Sequence, residues 1–256
     1  TDIGAKGIYK GKFLGSFPVG STHKVAGKVY AVNDDTLYIK GFSYDGAAPA
    51  AFFWAGTTEK PSVDGFVIPD PSGSEEKLKG YNNENLILKM PEGRKISDVK
   101  WISIWCKKFT INFGHIDIPQ NFNAPKEVNL GRLPTFAHKV SAKAVIVKDS
   151  KTILIKGLNY DGAAPDAYFL VGKGKKPHAS GIKVPDENGS LEKLHGYKDQ
   201  DITLHLPGDL TMKDIDWFSL YCIKFDENFG HVKIRRSIKK KMPANLEALA
   251  STVKQV

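Results

Sequence analysis

Short runs of apolar residues, bounded by Gly, Pro, Asp or Asn, recur along most of this chain. They are KVYAV, TLYIKGF, AFFWAG, GFVIP, LILKMP and VKWISIWC in the first half, and KAVIV, TILIKGL, AYFLVG, GIKVP, ITLHLP and IDWFSLYC in the second. The β-branched and aromatic content of these runs is typical of strands. Helical periodicity is confined to the tail PANLEALASTVKQV, where Pro243 stands at the predicted helix start. The pattern predicts an all-β fold with a short C-terminal helix.

The two halves are copies of one sequence. YDGAAP occurs at residues 44–49 and again 116 residues later, and 38 of the 83 positions from Thr36 to Ile118 are identical to their counterparts. Upstream, His23-Lys24-Val25 matches His138-Lys139-Val140 after a one-residue slip, which a hairpin turn absorbs easily. The repeat predicts two tandem β-sandwich or small barrel domains at residues 8–119 and 128–235. Residues 120–127 form the predicted linker, and residues 236–256 form a basic segment and helical tail.

The charge leaves several partner classes open. The net charge is +9, and the densest basic run holds Arg235, Arg236 and Lys239–Lys241. Such a balance suits nucleic acid, an acidic polysaccharide or a membrane surface as a partner, and it also serves solubility. Nucleic acid is not expected as a partner, because no nucleic-acid-binding signature is visible. No apolar run is long enough to span a membrane. The first residues lack a hydrophobic signal region, so the chain either starts after a removed signal peptide or never had one.

A family resemblance follows from the repeated motifs. Both copies carry a TLYIKGFSYDGAAP-like segment and end in WISIWCKKFTINFGH or WFSLYCIKFDENFGH. These segments resemble the DM13 domain, and the tandem arrangement is similar to DM13 proteins of the Skeletor and Knickkopf types. Proteins of those types usually continue into a DOMON domain, and no such domain is expected within these 256 residues. The resemblance implies an extracellular or cell-surface module that acts in electron transfer or oxidative modification of surface proteins through one cysteine per domain.

Cys106 and Cys222 are therefore the candidate catalytic residues. Strand alternation places Cys106 on one face with Ile102 and Ile104, so a small buried hydrophobe is the plainest interpretation. A Cys106–Cys222 disulfide and a redox or ligand role are the alternatives. Haem or copper are the cofactors that a ligand role would involve, since haem takes an axial Cys, His or Met.

Other repeated residues are candidates for ligand binding: Tyr44, Asp45, Tyr160, Asp161, His115 and His231. The Asp-Gly pairs in YDGAAP are also typical turn residues, and the repeated histidines could be structural. No HxH, HExxH or CxxC spacing occurs, so no metal site is predicted. Asn188-Gly189-Ser190 is a glycosylation sequon, and no hydrolase motif surrounds the matched Ser103 and Ser219.

Two function hypotheses remain at the level of sequence. One is the redox module implied by the resemblance. The other is a non-enzymatic matrix or cuticle interaction module that binds polysaccharide or cell-surface protein.

Overall fold

A computed structural model describes residues 7–18 and 21–253 as two compact units. The first unit runs to Pro125 and includes the stretch from Ala244 onward, and the second spans Lys126–Pro243. Each unit contains two four-stranded antiparallel sheets, so the predicted all-β fold is confirmed. Within the described residues, no helix combines the length and apolar character needed to cross a bilayer.

The first unit is a sandwich of two sheets. One sheet has the strand order β1-β2-β3-β6 and the other β5-β4-β7-β8. Residues of both sheets, such as Val29 and Ile39 from one and Phe53 and Ile104 from the other, share a single buried core. The strands are β1 (Lys12–Ser16), β2 (Ala26–Ala31), β3 (Thr36–Tyr44), β4 (Ala51–Gly56), β5 (Gly65–Ile68), β6 (Tyr81–Lys89), β7 (Trp101–Cys106) and β8 (Ile111–Asp117).

The second unit repeats this arrangement. Its sheets have the orders β9-β10-β11-β14 and β13-β12-β15-β16. The strands are β9 (Val128–Asn129), β10 (Ala144–Val147), β11 (Thr152–Tyr160), β12 (Ala167–Gly172), β13 (Ile182–Val184), β14 (Tyr197–His205), β15 (Trp217–Cys222) and β16 (Glu227–Lys233). The hydrophobic pattern identified β2–β7 and β10–β15, whereas β1, β8, β9 and β16 were missed. The Asn and Gly residues of β8 and β16 are typical of turns.

Alternation along β7 separates two apolar environments. Ile102, Ile104 and Cys106 belong to the core between the sheets. Trp101 and Trp105 point to the other side of the strand and pack with Trp54. Every residue of β7 is buried. Both faces of this strand are therefore covered although its sheet is antiparallel, and Ser103 is its one polar residue.

The tail packs on the first unit. Helix α1 (Leu246–Ala250) is capped by Asn245, whose side chain accepts a hydrogen bond from the Ala248 N–H at 2.8 Å. Leu249 is fully buried and packs with Val32 and Tyr38. The Tyr38 hydroxyl lies 2.7 Å from Thr252 Oγ1. The tail thus covers the outer side of the β2–β3 pair.

Candidate functional site around the repeated cysteines

The two cysteines occupy the same place in the two units. Cys106 is the last residue of β7, where it pairs with Ala51 of β4 and Ile111 of β8. Cys222 ends β15 and pairs with Ala167 and Glu227. Both thiols are free, and both residues have 0% of their surface exposed. A reagent in solution therefore cannot reach either sulfur in the folded protein.

A buried tyrosine neighbours each cysteine. Tyr44 ends β3, and its hydroxyl accepts a hydrogen bond from the Ala48 N–H at 3.1 Å. Burial raises the pKa of Tyr44, the Ala48 bond lowers it, and the charges of Asp45 and Cys106 raise it further, with a net upward shift. Tyr160 has the same partners in the second unit, Ala164 at 3.2 Å and Cys222. In the first unit, Tyr44 and Cys106 belong to the same buried core.

An aspartate–histidine pair lies beside each tyrosine. His23 Nδ1 is 3.0 Å from Asp45 Oδ1 and 3.1 Å from Oδ2, and its ring centroid lies 4.4 Å from that of Phe113 and 6.2 Å from that of Tyr44. The side chain of His23 is 26% exposed. His23 is therefore partly exposed while its ring lies beside that of the buried Tyr44. We call Cys106, Tyr44, Asp45, His23 and Phe113 the thiol niche of the first unit.

The second unit holds the same niche. His138 Nδ1 is 3.1 Å and 3.2 Å from the two carboxylate oxygens of Asp161. Its ring centroid lies 4.4 Å from that of Phe229 and 6.3 Å from that of Tyr160. Every distance agrees with its counterpart in the first unit to within about 0.1 Å, which is small against the range of ordinary hydrogen-bond lengths.

The Asp45 carboxylate is held in its charged form. Burial would raise its pKa, but the Ala47 N–H and then His23 and Lys24 outweigh that effect, so the pKa lies below its usual value. The Ala47 N–H bond, at 2.9 Å, closes the Asp-Gly turn that the sequence indicates. Asp161 has the corresponding partners Ala163, His138 and Lys139, and its pKa is also lowered.

The histidine of each niche has an unusual backbone. His23 and Lys24 have φ values of 62° and 56°, and His138 and Lys139 have values of 51° and 56°. Two consecutive non-glycine residues in the left-handed region cost free energy that the surrounding structure must offset. The His23 carbonyl accepts the Asp45 N–H at 3.1 Å, and the His138 carbonyl accepts the Asp161 N–H at 3.1 Å. The strained backbone conformation at each histidine is therefore held by the same aspartate that binds the imidazole.

His115 and His231 lie outside the thiol niches. His115 stands opposite Ser103 in the β7–β8 pair, on the side of the sheet away from Cys106. The Asn112 amide donates to His115 Nδ1 at 2.9 Å and accepts from the buried Ser103 hydroxyl at 2.8 Å. The structure thus brings Tyr44 and Asp45 to the thiol niche but not His115. His231 has equivalent bonds to Asn228, and Asn228 accepts from Ser219.

The comparisons with known proteins agree with the repeat. The family described as "Electron transfer DM13" matches residues 16–118 and again residues 132–234. This chain belongs to the DM13 family. No solved structure matches it.

Two curated relatives of this DM13 chain come from Drosophila melanogaster. They are Protein Skeletor, isoforms B/C, and Protein Skeletor, isoforms D/E, each 41% identical over 229 residues, or 89% of the chain. The chain spans only 29% and 15% of their respective lengths. The similarity therefore covers only a part of much longer proteins.

The surroundings of the DM13 cysteines do not fit a haem or copper site. Among the described residues, no group of three or more His, Cys, Asp or Glu side chains could hold a metal ion. Cys106 packs among core hydrocarbon side chains and has no exposed surface. A porphyrin could not approach the sulfur without separating the two sheets.

His23 and His138 are the DM13 niche residues that the sequence-based choice of ligands left out. Their signal was present, because His-Lys-Val is repeated. The one-residue slip and the separation of 22 positions between His23 and Asp45 hid the pairing. A search for repeated histidines together with repeated carboxylates would have paired them.

Proposed function

We propose that each DM13 domain transfers single electrons through its buried cysteine, in a protein at the cell surface or in the extracellular space. The observation that carries this proposal is the thiol niche, whose residues and distances recur in both units. The electron-transfer description of the family and the similarity to Protein Skeletor support it. Localisation rests on the family resemblance alone.

The burial of the two cysteines favours electron transfer over thiol–disulfide exchange. Thiol–disulfide exchange requires a thiolate that reaches the sulfur of another disulfide. Cys106 and Cys222 have no exposed surface, so direct exchange with a partner protein is disfavoured. Electron transfer needs no contact between the sulfur and its partner, and burial is compatible with it.

The proposed step is a one-electron oxidation of the thiol. The S–H bond breaks, one electron passes to an external one-electron oxidant, and the proton leaves towards water. The resulting thiyl radical returns to the thiol when a one-electron reductant and a proton restore the S–H bond. The oxidant and reductant would be partner redox proteins or small redox-active molecules.

The niche supplies a route from the sulfur to the surface. Tyr44 and Cys106 belong to the same buried core, and the Tyr44 ring lies next to that of His23, which is partly exposed. A phenol and an imidazole are oxidised or exchange protons more readily than aliphatic side chains. In this proposal the electron leaves through Tyr44, and the imidazole of His23 takes part in the proton transfer.

The test measures reaction with a one-electron oxidant. Folded full-length chain is mixed with hexachloroiridate(IV) in a stopped-flow instrument, and the absorbance of the oxidant is followed. We expect a fast phase of oxidant consumption. The amplitude of this phase should be halved in Cys106→Ala and in Cys222→Ala, and the phase should be absent in the double variant. Glu75→Ala, a substitution at an exposed position, is the control. An unchanged fast phase in the double variant would contradict the proposal.

The second candidate function is a non-enzymatic matrix or cuticle interaction module. The net charge of +9 and a cluster of cations on the second unit favour it. Pull-down of the full chain on chitin and on acidic polysaccharides, at two salt concentrations, tests this function. Failure to bind any of these polymers at low salt would argue against it.

A further inference from the structure

An open cleft on the second unit gathers positive charge. Its volume is about 960 Å³, and its cations come from the β12–β13 loop and from the end of β16 and the segment after it. They are Lys175, Lys176, Lys233, Arg235 and Arg236. All five side chains are exposed, and none of them forms an ion pair with a carboxylate in the described part of the chain. We call this feature the basic cleft.

The carboxylates in the cleft are already engaged. Asp216 lies 2.8 Å from Lys239 Nζ and accepts the Gly174 N–H at 2.9 Å. The Lys239 and Gly174 bonds hold the pKa of Asp216 below its usual value. Asp226 accepts the Tyr221 hydroxyl at 2.6 Å. Lys239 thus balances the charge of Asp216, and Asp226 forms no ion pair with any of the five cations in the described part of the chain.

The first unit provides an internal comparison. At the positions that match Lys175, Lys233, Arg235 and Arg236 it has, in the same order, Glu59, Asp117, Pro119 and Gln120. Across the matched lining, the second unit has five cations and two carboxylates, and the first has two cations, Lys60 and Lys100, and two carboxylates.

The scaffold under the cleft is unchanged between the units. Ser219 donates to Asn228 at 2.9 Å, and Asn228 donates to His231 at 2.8 Å. The matched bonds in the first unit are 2.8 Å and 2.9 Å. The DM13 fold therefore does not require the extra cations, and folding alone does not account for them.

We propose that the basic cleft binds a segment of an anionic polysaccharide through its sulfate or carboxylate groups. Lysine and arginine donors bind such groups by charge-assisted hydrogen bonds. The size of the cleft suits a few sugar units. This inference rests on the second candidate function, to which it assigns a site and a ligand class, and it requires no redox activity.

The lining favours a polysaccharide over nucleic acid. Single-stranded nucleic acid is bound without sequence preference by exposed aromatic side chains on which bases stack. Tyr221 lines the cleft but is only 4% exposed, and its hydroxyl is bound to Asp226. His231 is held by Asn228. The cleft thus offers cations without an aromatic stacking surface.

The experiment uses the full chain and heparin as the probe. Affinity is measured by titration calorimetry at several salt concentrations for the unmodified chain and for Arg235→Gln/Arg236→Gln. The matched control is Lys193→Gln/Lys198→Gln, which removes the same charge from exposed positions outside the cleft. We expect the cleft variant to lose about tenfold in affinity and the salt dependence of log K to fall by about 1 per lost contact, while the control changes less than about twofold.

The other outcomes separate the two proposals. If heparin binds but the two double variants weaken binding equally, the cleft is not the site, although the interaction function stands. If the unmodified chain binds no heparin at low salt, the basic-cleft proposal fails, and the interaction function fails with it only if chitin and the other acidic polysaccharides are not bound either. Tighter binding to a single-stranded DNA oligonucleotide or to vesicles containing phosphatidylserine, with the same dependence on Arg235 and Arg236, would overturn the assignment to a polysaccharide.

Discussion

The hydroxyl of Tyr197 donates a hydrogen bond to Glu187 at 2.9 Å, whereas the hydroxyl of the matched Tyr81 is buried without a partner among the described residues. The position that matches Glu187 is Pro71, which offers no side-chain acceptor. Burial, and then the charges of Asp70 and Glu84, raise the pKa of Tyr81 to about 12. A buried polar group without a hydrogen bond costs about 1–3 kcal/mol.

Removing the Tyr197 hydroxyl and removing the Tyr81 hydroxyl should therefore have different effects on stability. Tyr197→Phe is expected to lower the free energy of unfolding of the second unit by about 1 kcal/mol, because Glu187 loses its donor. Tyr81→Phe is expected to leave the first unit unchanged or to stabilise it, because no bond within the described residues is lost. Hydrogen exchange of the full chain in denaturant, read by peptide in each unit, measures both values. Equal destabilisation of the two units would refute this explanation.

Two repeated glycines are expected to be intolerant of substitution. A Cβ atom at Gly56 would lie 2.3 Å from the Trp101 ring, and one at Gly172 would lie 2.3 Å from the Trp217 ring. Gly56→Ala and Gly172→Ala should each lower the stability of their own unit by about 1–3 kcal/mol. Gly80→Ala, where the nearest atom is 3.4 Å away, is the control and should cost less. Thermal unfolding of the variants checks the difference.

The aspartates of the thiol niches should make stability depend on acid pH. The folded-state pKa values of Asp45 and Asp161 lie below the ordinary value of 3.8. Their contribution is therefore present above pH 3.8 and is lost as the pH falls through the folded-state values. Asp45→Asn and Asp161→Asn should flatten the fall of the melting temperature between about pH 4 and about pH 2. Asp209→Asn, in an exposed turn, is the control. An unaltered slope in both niche variants would contradict the assignment.

The tail should stabilise only the first unit. Leu249→Ala removes a fully buried side chain from the cluster with Val32 and Tyr38. The expected cost is about 2–5 kcal/mol. Hydrogen exchange should accelerate in β2 and β3 but not in β10 and β11. The exposed Leu246 offers a matched control, since Leu246→Ala should have a much smaller effect.

Much of the fold could be predicted from local sequence patterns. The length of the repeat gives the domain length, and the alternation of apolar and polar residues marks the strands. The face that Cys106 shares with Ile102 and Ile104 was predicted by strand alternation. The docking of Leu249 was not, because an amphipathic helix shows which side is apolar but not which surface covers it. Only half of the basic cleft could be identified from the sequence. Arg235 and Arg236 form a local run, whereas Lys175 and Lys176 are brought to it by the fold.

The site was harder to predict than the fold. Asp45 and Tyr44 were marked by the repeat, yet so was His115, and residue type alone could not distinguish the two environments. The deciding information is which face of the sheet each side chain occupies and which residues contact across the sandwich. Those contacts join positions far apart in the chain, such as His23 and Phe113.

In the proposed function, Cys106 and Cys222 exchange electrons with a partner although dissolved thiol reagents cannot contact them. The direct measurement is thiol titration with Ellman's reagent, on folded and on guanidinium-denatured chain, before and after exposure of the folded chain to hexachloroiridate(IV) in air. We predict no rapid reaction in the folded state, two thiols on denaturation before oxidation, and fewer than two afterwards. Two thiols still titrating after the oxidant has been consumed would contradict the electron-transfer role.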